Sequence, residues 1–261
     1  VGSGGSLNAA QGFTLKGSGA AGSNQNYTFV GKPNNGLITT TVAANNLNLA
    51  GNPYASALDA DAFITANNSS TTGALYFWEH SSTNNTHNLV AYQGGYSVRN
   101  LVGGTPPTAP AGISGVGASA KVPQRFIPVS QGFFIVGSGT GGTVTFNNDQ
   151  RAFIKEDNAL STSLFRSNTN MLSSVNHFTN NQDDETTINS FKKIRLGLTS
   201  KDNYHRQILL GFMNQLATSA IDFGYDAVNI DNQLNDIYFI NTATELVIQG
   251  EGNFDVNNSY P

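Results

Sequence analysis

The sequence predicts an all-β protein, an antiparallel β-sandwich of jelly-roll type with one short helix after Pro53. Three observations lead there. Charged residues make up only 11% of the chain, and its polarity comes instead from Asn, Thr, Ser and Gly, with about one residue in eight an asparagine. Turn-formers at that level, with 28 glycines, suit many short strands joined by loops, whereas a helical bundle needs Glu and Lys on its surface. Apolar and polar residues alternate with a period of two along much of the chain, and sustained helical periodicity is confined to residues 56–66.

Taken in order, "NYTFV", "GKPNNG" and "LITTTV" predict a hairpin in which Asn35 and Gly36 supply the left-handed turn. Leu47 and Leu49 then alternate with Asn46 and Asn48 as in a half-buried strand, which Gly51 and Pro53 end. Ser56 is the expected N-cap of the helix, with Asp59 completing a capping box and Asp61 in the first turn, where the helix dipole favours a carboxylate. Phe63 and Ile64 are expected to pack back on the sheet. Capping explains Asp59 and Asp61 better than catalysis or calcium does. "ALYFWEH" and "NLVAYQ" flank a polar loop. "FKKIRLGLTS" alternates with Ile194, Leu196 and Leu198 facing in and Lys193 and Arg195 facing out, and is expected to pair antiparallel with "HRQILLGF". "DIYFIN" and "LVIQG" close the chain.

One sandwich unit spanning residues 1–261 is expected, truncated at both ends and formed of two related lobes, residues 1–101 and 124–261, with two separate domains as the alternative. Between the lobes, residues 102–123 are rich in Gly, Pro and Ala and form a loop or linker. "QGFTLKG" at residues 11–17 recurs as "QGFFIVG" at residues 131–137, which supports two lobes of similar design.

Composition also excludes function classes. A net charge of −4 without a basic stripe makes nucleic acid a poor partner. No apolar run reaches the ~18 residues of a membrane span. The opening "VGSGGSLNAA" lacks the basic and apolar regions of a secretory signal and reads as the start of a mature fragment or a piece of a longer chain. Without cysteine there are no disulfides, no thiolate catalysis and no Cys-based zinc site.

Catalytic constellations are not found. His80, His87, His177 and His205 include no pair at i,i+4 spacing, and no nucleophile elbow or phosphate-cradling loop occurs. "GSGTGG" at residues 137–142 reads as a hairpin turn, having no helix after it. Two candidate sites remain. Alternation places Tyr76, Trp78 and His80 on one face of a strand, with Leu75 and Phe77 on the other, and Tyr92 and Tyr96 on the strands that follow. Such a face could stack sugar rings, because aromatic rings are apolar on one side and polar at one edge. The competing reading buries both faces and makes Trp78 the centre of the core. The second candidate is a structural calcium site at Asp222, Asp226, Asp231 and Asp236, with Asp183, Asp184 and Glu185 as a further oxygen-rich loop. Neither fits the EF-hand template, and solvated turns that keep edge strands soluble compete with both. No other cofactor is expected.

"LNLAGNPYASALDADAFI" resembles a motif of large exported surface proteins of Bacteroidota, where it lies in a β-rich region before a C-terminal type IX secretion sorting domain. "ALYFWEH", "VSQGFFIVG", "GTVTFNNDQR", "IRLGLTS", "QILLGF", "DFGYDA" and "LVIQG" resemble further pieces in the same order. Ala55 stands where that family has Pro, and the chain stops at "VNNSYP" where more sandwich and the sorting domain are expected. The resemblance implies export and a secreted or outer-surface location, with no specific activity. The leading expectation is thus a non-catalytic structural or adhesive module. A carbohydrate-binding module using the aromatic face is the first alternative, its partner a polysaccharide or surface glycan. A self-associating subunit of a surface filament or layer is the second, since a chain that ends inside its own β unit leaves an edge open.

Overall fold

The computed structural model describes residues 6–14, 28–80, 94–110, 122–154, 191–201 and 204–260. The first strands are β1 (Ile38–Val42), β2 (Leu47–Gly51) and β3 (Ala57–Asp59), followed by the helix α1 (Ala60–Ala66). Next come β4 (Thr71–His80), β5 (Gly94–Arg99), β6 (Gly104–Thr105), β7 (Ala109–Pro110), β8 (Phe126–Ile127), β9 (Gly132–Gly137), β10 (Gly142–Phe146) and β11 (Arg151–Ala152). The last are β12 (Lys192–Thr199), β13 (Tyr204–Phe212), β14 (Ala227–Val228), β15 (Phe239–Asn241) and β16 (Thr244–Glu251). Among the described residues the chain is all-β with a single short α-helix, the class its composition predicts.

The strands form four sheets among the described residues: β1 with β10, β11-β3-β8, β2-β9-β4-β5-β6, and a six-stranded sheet ordered β12-β13-β16-β14 with β15 on β16 and β7 on β13. Pairing is antiparallel except between β13 and β16, which run parallel from Leu209↔Ile248 to Phe212↔Glu251. The five-stranded sheet is central because both of its faces are covered. Leu75, Phe77, Phe133 and Ile135 join one core with Tyr54, Leu58, Phe63, Ile64, Val144 and Phe146. Ala74, Tyr76 and Val98, one residue out of phase, join a second core with Ile208, Leu209, Phe212, Leu246 and Ile248 of the six-stranded sheet. The period-two alternation of β4 thus divides its side chains between two cores.

Strands from before and after the Gly/Pro-rich segment are interleaved. β9 lies between β2 and β4, β10 pairs with β1, and β8 and β11 flank β3. The two similar segments lie on either side of one strand: Phe133 pairs with Ala50 of β2 on one edge, and Gln11 bridges Ala50 on the other. Part of the Gly/Pro-rich segment is built into the sheets as β6 and β7, and residues 102–108 are buried.

Several local expectations are corrected. The hairpin at Asn35 and Gly36 does not form; Gly36 has a φ of 78°, but β1 pairs in full register with β10, from Ile38↔Phe146 to Val42↔Gly142. The helix begins at Ala60 rather than Ser56, because residues 57–59 are drawn into β3 between β8 and β11. Its N-cap is Asp59, whose carboxylate accepts from the amides of Asp61 and Ala62. The turn at residues 137–142 carries the chain from the central sheet to the β1–β10 pair and so is not a hairpin turn. β12 does pair with β13 as expected, over eight residues from Lys192↔Phe212 to Thr199↔His205. It is an edge strand among the described residues, however, so Ile194, Leu196 and Leu198 are exposed rather than inward.

Candidate functional site

The corner at residues 51–61 is a set of ties. Buried Asn52 donates from Nδ2 to the carbonyls of Ser56 (2.8 Å) and Pro128 (3.1 Å), and its Oδ1 accepts from the Tyr54 amide. The Tyr54 hydroxyl donates to the Gly36 carbonyl at 2.6 Å, and the Arg151 guanidinium lies 5.0 Å over its ring. Arg125 grips Asp59 with two bonds, Nε to Oδ1 at 3.0 Å and Nη2 to Oδ2 at 2.8 Å. Arg99, itself buried, reaches Asp61 Oδ1 at 3.0 Å. Both carboxylates are therefore held by arginines, Asp59 in the forked geometry that makes such pairs strong and Asp61 through a single bond, while Asp59 also caps the helix start. The sequence placed Asp59 at the helix start but took Ser56 for its cap, and it gave no sign of the arginines.

The acidic stretch at residues 222–236 divides in two rather than gathering about one point. Asp231 and Asp236 enclose Arg206 of β13, which is 5% exposed. Arg206 Nε donates to Asp236 Oδ1 at 2.5 Å, while Nη1 and Nη2 each reach Asp231 Oδ1 at 3.1 Å. Asp231 Oδ2 also accepts from the Tyr96 amide at 2.9 Å, so one carboxylate joins the six-stranded sheet to β5 of the central one. Burial raises the Asp231 pKa, with Arg206 opposing it. Burial alone would raise Asp236 too, but the Gln233 amide and Arg206 draw its pKa below the ordinary value. Asp222 accepts from the amide and hydroxyl of Thr218, and Asp226 from the amides of Asp222 and Gly250. Burial pushes Asp226 up to about 6, against those amide bonds. Among the described residues no three His, Asp or Glu side chains are grouped as a metal site would need. Asp183, Asp184 and Glu185 lie outside the described residues, as do His87 and His177. His205 faces Thr199, Nδ1 to Oγ1 at 2.9 Å, with its pKa lowered by burial.

The aromatic face is only partly as expected. Tyr76 is enclosed in the second core, and its hydroxyl donates to the Val228 carbonyl at 3.1 Å; burial drives its pKa far above the usual phenol value. No ligand can stack on that ring, so Tyr76 leaves the candidate set. Trp78 is 41% exposed, which also corrects the reading that centres the core on it. Its indole meets Tyr96, the residue opposite it on β5, edge to face at 5.1 Å, and Tyr96 in turn meets Phe134 at 5.5 Å and 88°. A Cβ on Gly94 would lie 2.7 Å from Trp78 Cζ2 and 3.1 Å from Cε2. The edge of the indole therefore occupies part of the space a side chain at Gly94 would need. Burial and the nearby Asp231 raise the pKa of Tyr96. His80 is paired with Gly94 in the β4–β5 ladder, and Tyr92 lies outside the described residues.

Fold and site together define an all-β protein whose carboxylates tie strands and loops together and in which Trp78 is partly exposed. The chain belongs to the family described as a domain of unknown function, DUF8693, whose model matches residues 2–261. Comparison with curated proteins and with solved structures gives no match.

Proposed function

We propose that the chain is a non-catalytic structural or adhesive module of an exported bacterial cell-surface protein. The observation that carries this reading is the use made of the motif on which the type IX resemblance rests. Asn52, Tyr54, Asp59 and Asp61 are all engaged in holding the corner to β8, β11 and the ends of β1 and β5. Residues that would be the natural acids and bases of a hydrolase act here as struts. A chain poor in charge and rich in Asn, Thr and Gly suits a surface framework that carries a binding face.

The test is localisation of the parent protein on intact cells of its source organism. Antibody against residues 28–80 is expected to label unpermeabilised cells, and protease added outside is expected to remove the label. Label that appears only after permeabilisation would overturn the surface reading.

A second reading, a self-assembling subunit, is favoured by β12, an edge strand among the described residues that exposes Ile194, Leu196 and Leu198. Sedimentation of the purified chain over a hundredfold range of concentration separates the two. Concentration-dependent growth abolished by Leu196→Lys supports assembly, and a monomer throughout removes it.

A further inference from the structure

The Asn35–Gly36 step makes no hairpin, yet the fold surrounds it with partners. Asn35 is exposed, and its Oδ1 accepts from Arg151 Nη1 at 3.0 Å. The Gly36 amide donates to Asn148 Oδ1 at 3.1 Å, and that oxygen also accepts from Arg151 Nη1 at 3.2 Å. We propose that Asn35 is a self-modification site, at which the side-chain amide is converted to a carboxylate through attack by the Gly36 nitrogen and the new acid then pairs with Arg151. The reaction needs only water and the chain itself, so it stands independently of the surface reading.

The reacting groups are covalent neighbours. The Gly36 nitrogen bonds to Asn35 Cγ, the Cγ–Nδ2 bond breaks, and Nδ2 leaves as ammonia with the proton that the nitrogen gives up. Water then opens the resulting succinimide at either carbonyl, giving aspartate or isoaspartate with no net oxidation or reduction. Three features favour the step at this position. Arg151 donates to Oδ1, the atom on which negative charge develops as the nitrogen attacks. The Asn148 oxygen accepts from the N–H whose proton must be lost. Gly36, at a φ of 78°, brings no side chain to crowd the nitrogen, and a Cβ placed there would meet no other atom within 4 Å.

The surroundings also suit the product. Arg151 is ringed by neutral groups: Ser56 Oγ at 3.0 Å, the oxygens of Asn35 and Asn148, and the Tyr54 ring at 5.0 Å. Among the described residues no carboxylate forms an ion pair with it. Asn35 Nδ2 makes no hydrogen bond among the described residues, so replacing it by oxygen loses none. The exchange therefore adds charge to a contact already in place, turning a neutral acceptor into a charge-assisted one.

Asn35–Gly36 is the only Asn-Gly step in the chain, so exchange there is separable from exchange at the other asparagines. The experiment holds the purified full chain, folded and in urea, in mildly alkaline buffer for weeks and follows amide-to-acid exchange by peptide mapping with mass spectrometry. In the folded chain the acid is expected to accumulate at Asn35 ahead of every other asparagine. Exchange at Asn35 in urea but not in the folded chain would show that the corner shields the amide, and would overturn the proposal. The pairing is read separately from the melting temperature of Asn35→Asp. A gain of about 1–3 °C over the wild type is expected, shrinking in high salt and vanishing in an Arg151→Gln background. No gain, a loss, or a gain that survives Arg151→Gln overturns the assigned partner.

Discussion

The two faces of the central sheet are made by the same strands and end differently. On one face Phe77, 2% exposed, is sealed beneath α1 and the β1–β10 pair, with Phe63 meeting Phe133 at 5.4 Å and Phe146 at 4.8 Å. On the other, the six-stranded sheet covers Tyr76 and Val98 but leaves Trp78, two positions along β4 on the same face, partly exposed. The difference lies in what the flanking chain supplies. The sealed face is closed by a helix and a corner pinned through Asn52, Asp59 and Asp61. The other face is covered by a sheet joined to β5 through Asp231 and Arg206, and Trp78 is left partly exposed. One face is thus buried at Phe77, and the other leaves Trp78 partly exposed.

Breaking the sealed face should have the largest effect. Phe77→Ala removes a fully buried ring and leaves a cavity between α1 and the sheet, with an expected cost of about 3–5 kcal/mol in chemical denaturation. A cost below about 1 kcal/mol would mean that this face is not the main source of stability. On the other face the tie is electrostatic. Arg206→Ala leaves Asp231 and Asp236 buried without their cation, with an expected loss also of about 3 kcal/mol or somewhat more. It should in addition free the Tyr96 end of β5, increasing hydrogen exchange at the Tyr96 amide relative to that of Phe77. Equal protection of both amides in the variant would show that Arg206 does not hold the cover in place.

The sharpest elements of this picture were those legible from local pattern. Alternation in residues 74–80 correctly separated Tyr76 and Trp78 from Leu75 and Phe77, and the β12–β13 hairpin followed from two alternating runs and a short turn. What was not legible was set at long range. β1 finds its partner about a hundred residues further on, and β3 exists only because β8 and β11 flank it, which moves the helix cap from Ser56 to Asp59. The arginine partners of the aspartates are equally distant in sequence: Arg99 lies 38 positions from Asp61, and Arg125 lies 66 from Asp59. One signal was available. Arg206 occupies the same alternating row as Ile208 and Leu210, and an arginine in an inward row requires a buried acid partner.

A smaller effect comes from Asp226, which caps the β14 edge of the second core by accepting from the Gly250 amide. Its folded pKa of about 6 lies above the ordinary 3.8, so between these values the folded state binds more proton than the unfolded one. Its stabilising contribution is present below about pH 4 and is lost as pH rises through about 6. The melting temperature of Asp226→Asn should therefore gain on that of the wild type between pH 4 and pH 7.5. A difference that is constant across this range would place the carboxylate in a more solvated setting.

Acrylamide quenching of Trp78 in the folded, ligand-free chain tests the contrast between the two faces most directly. A partly exposed indole beside Gly94 should show red-shifted emission and a quenching constant well above that of a core tryptophan, falling when a Trp introduced as Phe77→Trp in a Trp78→Phe background is measured instead. Blue-shifted, unquenchable emission from Trp78 would mean that the second face is sealed like the first.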